Sequence, residues 1–177
     1  MSYGNHSKVA PFSETYTTER YNVGTIRVED AQDVIDNGSG VSTTTTYSLL
    51  AGPRVWVFIL AGSAIAAGDL VNRSSTSTPF TGVPEPADSV ARVMLLGVAD
   101  NAIASGSYGW VIARGCCVVS VGASGTAGSA FQSDGATTAA GDVSDCVNDA
   151  DDDAIGMFLE AEDATTTAFA QAYINVL

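Results

Sequence analysis

Alternating carboxylates form the part of this sequence whose residue types and spacing come closest to a chemical site. Asp149, Asp151 and Asp153 are two residues apart, and Glu160 is the twelfth position of a window that begins at Asp149. Oxygen ligands at alternating positions, closed by a glutamate at the twelfth, are typical of a calcium-binding loop. The sixth position is Ala154 where such a loop needs glycine, so a solvated acidic loop is the competing interpretation.

Other kinds of catalytic or metal chemistry have no recognisable pattern here. His6 is the single histidine and lies in a polar segment, yet a Ser-His-Asp or Cys-His arrangement would have to use it. Cys116, Cys117 and Cys146 show no zinc-site spacing. Cys146 could pair with one of the two adjacent cysteines and leave the other free, or all three could be buried thiols. We therefore expect no enzyme activity, no cofactor and no metal beyond the calcium candidate.

Charge is distributed very unevenly along the 177 residues. The net charge is −13, and the stretch from Gly115 to Leu177 contains ten Asp and Glu but no Lys or Arg. Nucleic-acid binding needs a basic face, as does adsorption to an anionic membrane, so we expect neither partner. The longest apolar run, Val55–Ala61, is too short to span a bilayer, and no targeting segment is visible. These features predict a protein made in a cytoplasm.

Short apolar stretches separated by turn residues predict an all-β fold, either an antiparallel β-sandwich or a β-barrel. In Tyr108–Ala113 large residues alternate with small ones, which is typical of a strand, and Gly115 is expected to end it. Ser74–Pro86, rich in Ser, Thr and Pro, reads as a loop. The predicted strands cover residues 55–60, 70–73, 91–98, 108–113, 116–121, 130–133, 154–161 and 166–176.

The chain divides by composition near residue 50. Residues 1–50 are polar and threonine-rich, which predicts an extended N-terminal arm or a loosely packed subdomain; an edge strand and loops of the same domain are the alternative. Residues 51–177 form the β-domain. Ala66-Ala67-Gly68-Asp69 recurs at 139–142, and a turn and a strand follow each copy, which suggests two related β-units.

Two sets of residues are candidates for contacts with other subunits. Four threonines followed by a tyrosine form a stiff, extended segment in the predicted arm, and an aromatic pair stands out in the strand at 108–113. That pair is expected in the core or at a subunit interface rather than on a sugar-binding surface. The interface candidates are Thr43, Thr44, Thr45, Thr46, Tyr47, Tyr108 and Trp110.

A series of turns and small residues resembles the capsid decoration, or cement, proteins of bacteriophages. An Ala-Ala-Gly-Asp turn leads into an apolar strand, a Gly-Val-Ala turn precedes Gly-Ser-Tyr-Gly-Trp-Val, and a glycine-rich copy of the theme leads to a final strand. These pieces are Ala66–Val71, Gly97–Ala102, Gly106–Val111, Ala123–Gly128 and Gly156–Val176. The resemblance covers roughly residues 60–177 and leaves the N-terminal segment outside it.

The resemblance implies a non-enzymatic virion protein on the outer surface of an icosahedral capsid, where it would stabilise contacts between major capsid subunits. Its implied partners are the major capsid protein and itself, as a homotrimer, and residues 1–50 are expected to contact the capsid or a neighbouring subunit. A tail or head-fibre component or a carbohydrate-binding β-module is the alternative. The loops at 74–86 and 122–128 contain Phe80 as their only aromatic residue, which disfavours glycan binding.

Overall fold

The predicted all-β fold is confirmed. The computed structural model describes residues 12–29, 53–85, 94–122, 124–133, 141–145, 154–159, 162–163 and 168–177. Within these ranges no helix is long and apolar enough to cross a membrane. The strands of the described residues are β1 (Ile26–Glu29), β2 (Arg54–Ala61), β3 (Leu70–Ser75), β4 (Thr78–Pro84), β5 (Leu95–Ala99), β6 (Tyr108–Val121), β7 (Ser124–Gly125), β8 (Ala130–Ser133), β9 (Val143–Asp145), β10 (Gly156–Phe158), β11 (Glu162–Asp163) and β12 (Ala168–Asn175).

Five strands close into a ring that we call the first unit. Its members are β2, β4, β3, β5 and the first half of β6, Tyr108–Arg114, and the ring closes because β6 also pairs with β2. Alternate residues of these strands point inward and fill the ring with small and branched apolar side chains. This interior contains Val57, Ile59, Ala61, Ile65, Val71, Leu96, Ala99, Ile103, Val111 and Ala113.

A second ring uses the other half of the same long strand. The second unit consists of Gly115–Val121 of β6 with β12, β10, β8 and β9, and it closes where Val121 pairs with Val143. Its interior is also apolar and includes Cys117, Val119, Phe131, Phe158 and Ala172. β7 and β11 pair with each other as a separate two-stranded sheet.

The two units have the same topology. β2, β3, β4, β5 and the first half of β6 correspond, in chain order, to the second half of β6, β8, β9, β10 and β12. Each unit has one parallel contact, β2 with β4 and β6 with β9, and is otherwise antiparallel. Corresponding hydrogen bonds recur in the two units: Gly68 N donates to Ala99 O at 2.7 Å, and Gly128 N donates to Phe158 O at 2.9 Å. The sheet is therefore mixed, and it repeats one closed five-stranded pattern.

The structural correspondence differs from the sequence match that suggested two units. The turn at Ala66–Asp69 corresponds to Thr126–Ser129, since Asp69 N donates to Ala66 O and Ser129 N donates to Thr126 O. Gly141 instead lies against the first turn, and its carbonyl accepts a hydrogen bond from Leu70 N at 2.7 Å. The Ala-Ala-Gly-Asp match therefore does not identify equivalent positions.

The strand prediction was wrong in three places, one of which is the expected loop at 122–128, where Ser124–Gly125 forms β7. The interval Ser74–Pro86, expected as a loop, contains β4, which forms a tight hairpin with β3 and pairs with β2 on its other edge. Gly115, expected to end a strand, lies inside β6 at a φ of 118°. Glycine adopts this angle without a steric cost, so β6 continues through Gly115. A separate bulge lies just before it, where Ala113 is the extra residue opposite Val55–Trp56.

The described part of the predicted arm is joined to the sheet. β1 pairs antiparallel with β2, and residues 12–21 bring aromatic side chains against the outside of the first unit. Among the described residues it consists of one edge strand and the loop before it. Residues 1–11 and 30–50 lie outside the described residues.

Candidate interaction surface

The structure contains only some of the residues that the sequence singled out. Tyr108 and Trp110 are described, whereas the calcium candidate and the threonine-rich segment are not. Within the described ranges, no group of three or more His, Cys, Asp and Glu is placed to hold a metal ion. The predicted residues outside the described ranges are His6, Thr43, Thr44, Thr45, Thr46, Tyr47, Cys146, Asp149, Asp151, Asp153 and Glu160.

Trp110 lies in an aromatic cluster that covers the outside of the first unit. Its ring is edge-on to Phe12 at a centroid distance of 5.2 Å and lies 5.3 Å from Tyr21. Phe12 also stacks on Trp56 at 4.7 Å with an interplanar angle of 7°. Trp110 is buried as a result. Aromatic pairs at these distances add stabilisation beyond the apolar area they bury, so residues 12–21 serve as a lid on this face.

Tyr108 occupies the margin of the same cluster. It is half-buried, and its ring stacks on Phe58 at 5.9 Å. Its backbone exchanges two hydrogen bonds with Tyr16, at 2.8 Å from Tyr16 N to Tyr108 O and 2.7 Å in the reverse direction. In this structure the predicted aromatic pair therefore contacts the N-terminal segment of its own chain.

β1 is fixed to the first unit by a buried polar group. Trp56 Nε1 donates a hydrogen bond to Glu29 Oε2 at 3.0 Å, and Arg54 Nη1 lies 4.0 Å from the same oxygen. These partners compensate the cost of removing the Glu29 carboxylate from water. The opposite face of β1 presents Ile26 and Val28, whose side chains are 55% and 69% exposed.

The second unit carries an exposed apolar surface on adjacent strands. Met157 of β10 pairs directly with Tyr173 of β12. Phe169 lies on the same face of β12, four residues before Tyr173. Met157, Phe169 and Tyr173 are 43%, 43% and 36% exposed. Arg114 Nε donates to the Tyr173 hydroxyl at 3.4 Å. We call Met157, Phe169 and Tyr173 the C-terminal patch.

The two adjacent cysteines point to opposite sides of β6, as the sequence predicts for neighbouring strand residues. Cys117 lies inside the second unit, and Cys116 is half-buried on the outside; both are free thiols. Burial raises the pKa of each thiol above its ordinary value. Because the thiolate is the reactive form, burial makes both groups poor nucleophiles.

Buried carboxylates lie where the two units meet. Ser120 N donates to Gly68 O at 2.9 Å, and the Ser120 hydroxyl donates to Asp142 Oδ1. Asp69 is close to Gly141, and its Oδ2 accepts a hydrogen bond from Ala66 N at 2.7 Å. Burial, with the Asp142 charge adding to it, raises the pKa of Asp69 to about 6, although the Ala66 hydrogen bond opposes the shift.

This raised pKa predicts that neutral pH weakens the contact between the two units around Asp69 and Asp142, which we call the acidic joint. The Asp69 pKa is 3.8 ordinarily and about 6 in the fold, so its contribution to stability is complete below 3.8 and is lost as pH rises through 6. We expect the melting temperature of Asp69→Asn to fall less than that of the wild type between pH 5 and pH 7.5. Differential scanning calorimetry at the two pH values measures this, and equal falls in both proteins would contradict it.

Neither the C-terminal patch nor the acidic joint was predicted from sequence. The alternation of Phe169, Gln171 and Tyr173 with small residues did indicate that these side chains share one face of a strand. Whether these side chains are exposed depends on what packs against the outside of the second unit. The periodicity of one strand carries no information about that packing. The joint was signalled only by its two Gly-Asp pairs, at Gly68–Asp69 and Gly141–Asp142.

Comparison with known proteins finds similarity among solved structures. No family model matches the chain, and no curated protein matches it. Among solved structures it is similar to the head fiber gp8.5 N base of bacteriophage phi29, with a TM-score of 0.48 and 16% sequence identity. The alignment covers 70% of this chain and 95% of that chain.

Proposed function

We propose that this chain is a structural protein of a bacteriophage virion that binds the outer surface of the icosahedral capsid. There it stabilises contacts between major capsid subunits, and it does so as a homotrimer without catalysing a reaction. The resemblance of residues 60–177 to decoration proteins supports this proposal. The structural observation that carries it is the C-terminal patch, because a neighbouring group of exposed apolar side chains marks a surface that another protein covers.

The construction of the two units favours a role in binding through an outer surface. Both rings are filled by apolar side chains, and the strands pair around each ring without a gap. A closed, filled ring of this kind keeps its outer face in one shape, which lowers the entropy cost of docking. The net charge of −13 favours a protein surface over DNA as the partner.

Co-sedimentation with capsids tests the proposal. The purified chain is mixed with mature capsids of the source phage that lack it, and bound protein is measured by gel densitometry. We expect saturable binding at a fixed ratio to the major capsid protein. Sedimentation equilibrium of the free chain checks the homotrimer, for which three times the mass of 18.1 kDa is expected.

Absence of capsid binding would overturn the proposal. Recovery of the protein in tail or head-fibre fractions would then support the fibre alternative. Specific binding to a glycan array would support a carbohydrate-binding module, to which the exposed rings of Phe169 and Tyr173, among the described residues, could contribute.

A further inference from the structure

The acidic joint is formed by residues just before β9 that lie against β3 and the end of β4 in the first unit. Gly141 N donates a hydrogen bond to Glu85 O at 2.9 Å, and Leu70 N donates to Gly141 O at 2.7 Å. Ser120, on the strand that both units share, donates from its backbone N to Gly68 O at 2.9 Å. These hydrogen bonds connect the two units in addition to the continuous backbone of β6.

Two carboxyl groups are enclosed by these contacts. Asp69 and Asp142 are only 7% and 3% exposed. A Cβ on Gly141 would lie 2.7 Å from Asp69 Cγ, so the Asp69 carboxyl group lies directly against the backbone next to Asp142. Asp142 Oδ1 accepts a hydrogen bond from the Ser120 hydroxyl, whereas its buried Oδ2 has no hydrogen-bond partner among the described residues. The joint therefore encloses two acidic groups and an acceptor atom that is not satisfied.

Two other buried carboxyl groups have an arginine beside them. Arg54 Nη1 lies 4.0 Å from Glu29 Oε2. Burial raises the pKa of Asp100, and the positive charge of Arg54 opposes that shift. An arginine in such a position favours the charged form of a carboxylate, because it compensates part of the cost of removing that charge from water.

Asp69 has acidic neighbours instead. The elements packed around it contribute Glu85 after β4, Asp100 after β5, Asp142 before β9 and the uncharged Ser120 of β6. Burial is the largest cause that raises the Asp69 pKa to about 6, the Asp142 charge adds to it, and no described Lys or Arg is among the groups that shift it. Two enclosed carboxylates without a cation are costly, so a proton is the positive charge that suits this site.

We propose that the acidic joint is a pH-sensitive switch, in which one proton held by Asp69 and Asp142 keeps the residues before β9 against the first unit. Loss of this proton near neutral pH leaves two buried negative charges, which repel each other and favour entry of water into the contact. The joint then opens more often, while the strands of both rings stay paired. The switch is a property of the fold and does not depend on the capsid-binding proposal.

Amide hydrogen exchange tests the switch, because the joint and the two rings have separate reporter amides. Leu70, Ser120 and Gly141 donate backbone hydrogen bonds of the joint. Ala61 of the first unit and Phe158 of the second unit donate backbone hydrogen bonds outside it. Local opening of the joint exposes the first group alone, whereas unfolding of the protein exposes both groups.

Protection of the joint amides, corrected for the intrinsic exchange rate, is expected to fall about tenfold between pH 5 and pH 7.5. Opening returns Asp69 from a pKa of about 6 to its ordinary 3.8, and this difference favours the open joint by about that factor once the proton has left. Asp69→Asn should abolish the fall. Asp142→Asn should reduce it, because burial still raises the Asp69 pKa. Asp100→Asn is the matched control, a buried carboxyl group beside Arg54, and its joint should respond to pH as in the wild type.

The same exchange data contain the results that would overturn the proposal. A wild-type joint whose protection does not change with pH, or falls equally in Asp69→Asn, would do so. Loss of protection at Ala61 and Phe158 together with the joint would show that pH acts on the whole fold. Suppression of the fall at pH 7.5 by millimolar calcium would show that the carboxylates hold a cation in place of a proton.

Discussion

Substituting Gly97 with alanine is expected to destabilise the protein by about 3 kcal/mol, a large part of the total for a domain of this size. A Cβ at this position would lie 2.4 Å from the carbonyl oxygen of Ile112, where β5 crosses close to β6. The φ of Gly97 is also 146°, which L side chains rarely adopt. Since backbone atoms cannot rotate away, the ring of the first unit must open locally.

Gly156 of the second unit allows the equivalent substitution, and Gly106 of the first unit provides a control. Gly156 corresponds to Gly97, and a Cβ there would lie 2.2 Å from Tyr173 O, so Gly156→Ala is expected to cost about as much. Gly106 has a positive φ of 75° but no neighbour within 4 Å of its added Cβ. Gly106→Ala should therefore cost only about 1 kcal/mol, the price of the backbone angle. Urea unfolding followed by circular dichroism measures all three, and equal losses would contradict the role of close strand contact.

Replacing Phe58 with alanine is expected to cost about 3–5 kcal/mol and to loosen the N-terminal segment. Phe58 is fully buried, stacks on Tyr108, and contacts Tyr21 at 5.3 Å and Trp110 at 5.0 Å. The backbone of Phe58 also holds the N-terminal segment in place, because Phe58 N donates a hydrogen bond to Thr25 O at 2.9 Å. Loss of the ring leaves a cavity between β2, β6 and residues 12–29.

Two measurements separate this effect from a general loss of stability. Hydrogen exchange should rise first at residues 16–26, and the midpoint of urea unfolding should fall. Phe169→Ala is the matched control, since Phe169 is 43% exposed and its loss should cost about 1 kcal/mol or less. A Phe58→Ala protein as stable as Phe169→Ala would contradict the assignment of Phe58 to the cluster that joins the segment to the sheet.

Strand positions were predictable where one chain segment contains the whole signal. The continuous apolar run at Val55–Leu60 predicted a strand covered on both faces, and β2 has the interior of the first unit on one side and residues 12–21 on the other. Alternation likewise predicted β12 within one or two residues. In both cases the pattern reflects burial that a single strand experiences along its length.

Features that depend on two distant segments could not be predicted in this way. β4 was missed because its hairpin is held by hydroxyl groups, such as Ser75 and Thr78 at 2.9 Å, in a composition that reads as loop. The need for glycine at Gly97 and Gly156 arises only once β5 and β10 lie against their neighbours. The C-terminal patch depends on the pairing of β10 with β12 and on what packs outside them, which no single segment of the sequence records.

β6 is the last strand of one ring and the first strand of the next. A force that pulls the two rings apart is therefore borne by the continuous backbone of β6, Tyr108–Val121. It is not borne by a non-covalent contact between two separate domains. Neither ring can detach from the other without losing one of its own five members. A protein built in this way resists being pulled apart as a continuous filament does, because one strand passes unbroken through both rings.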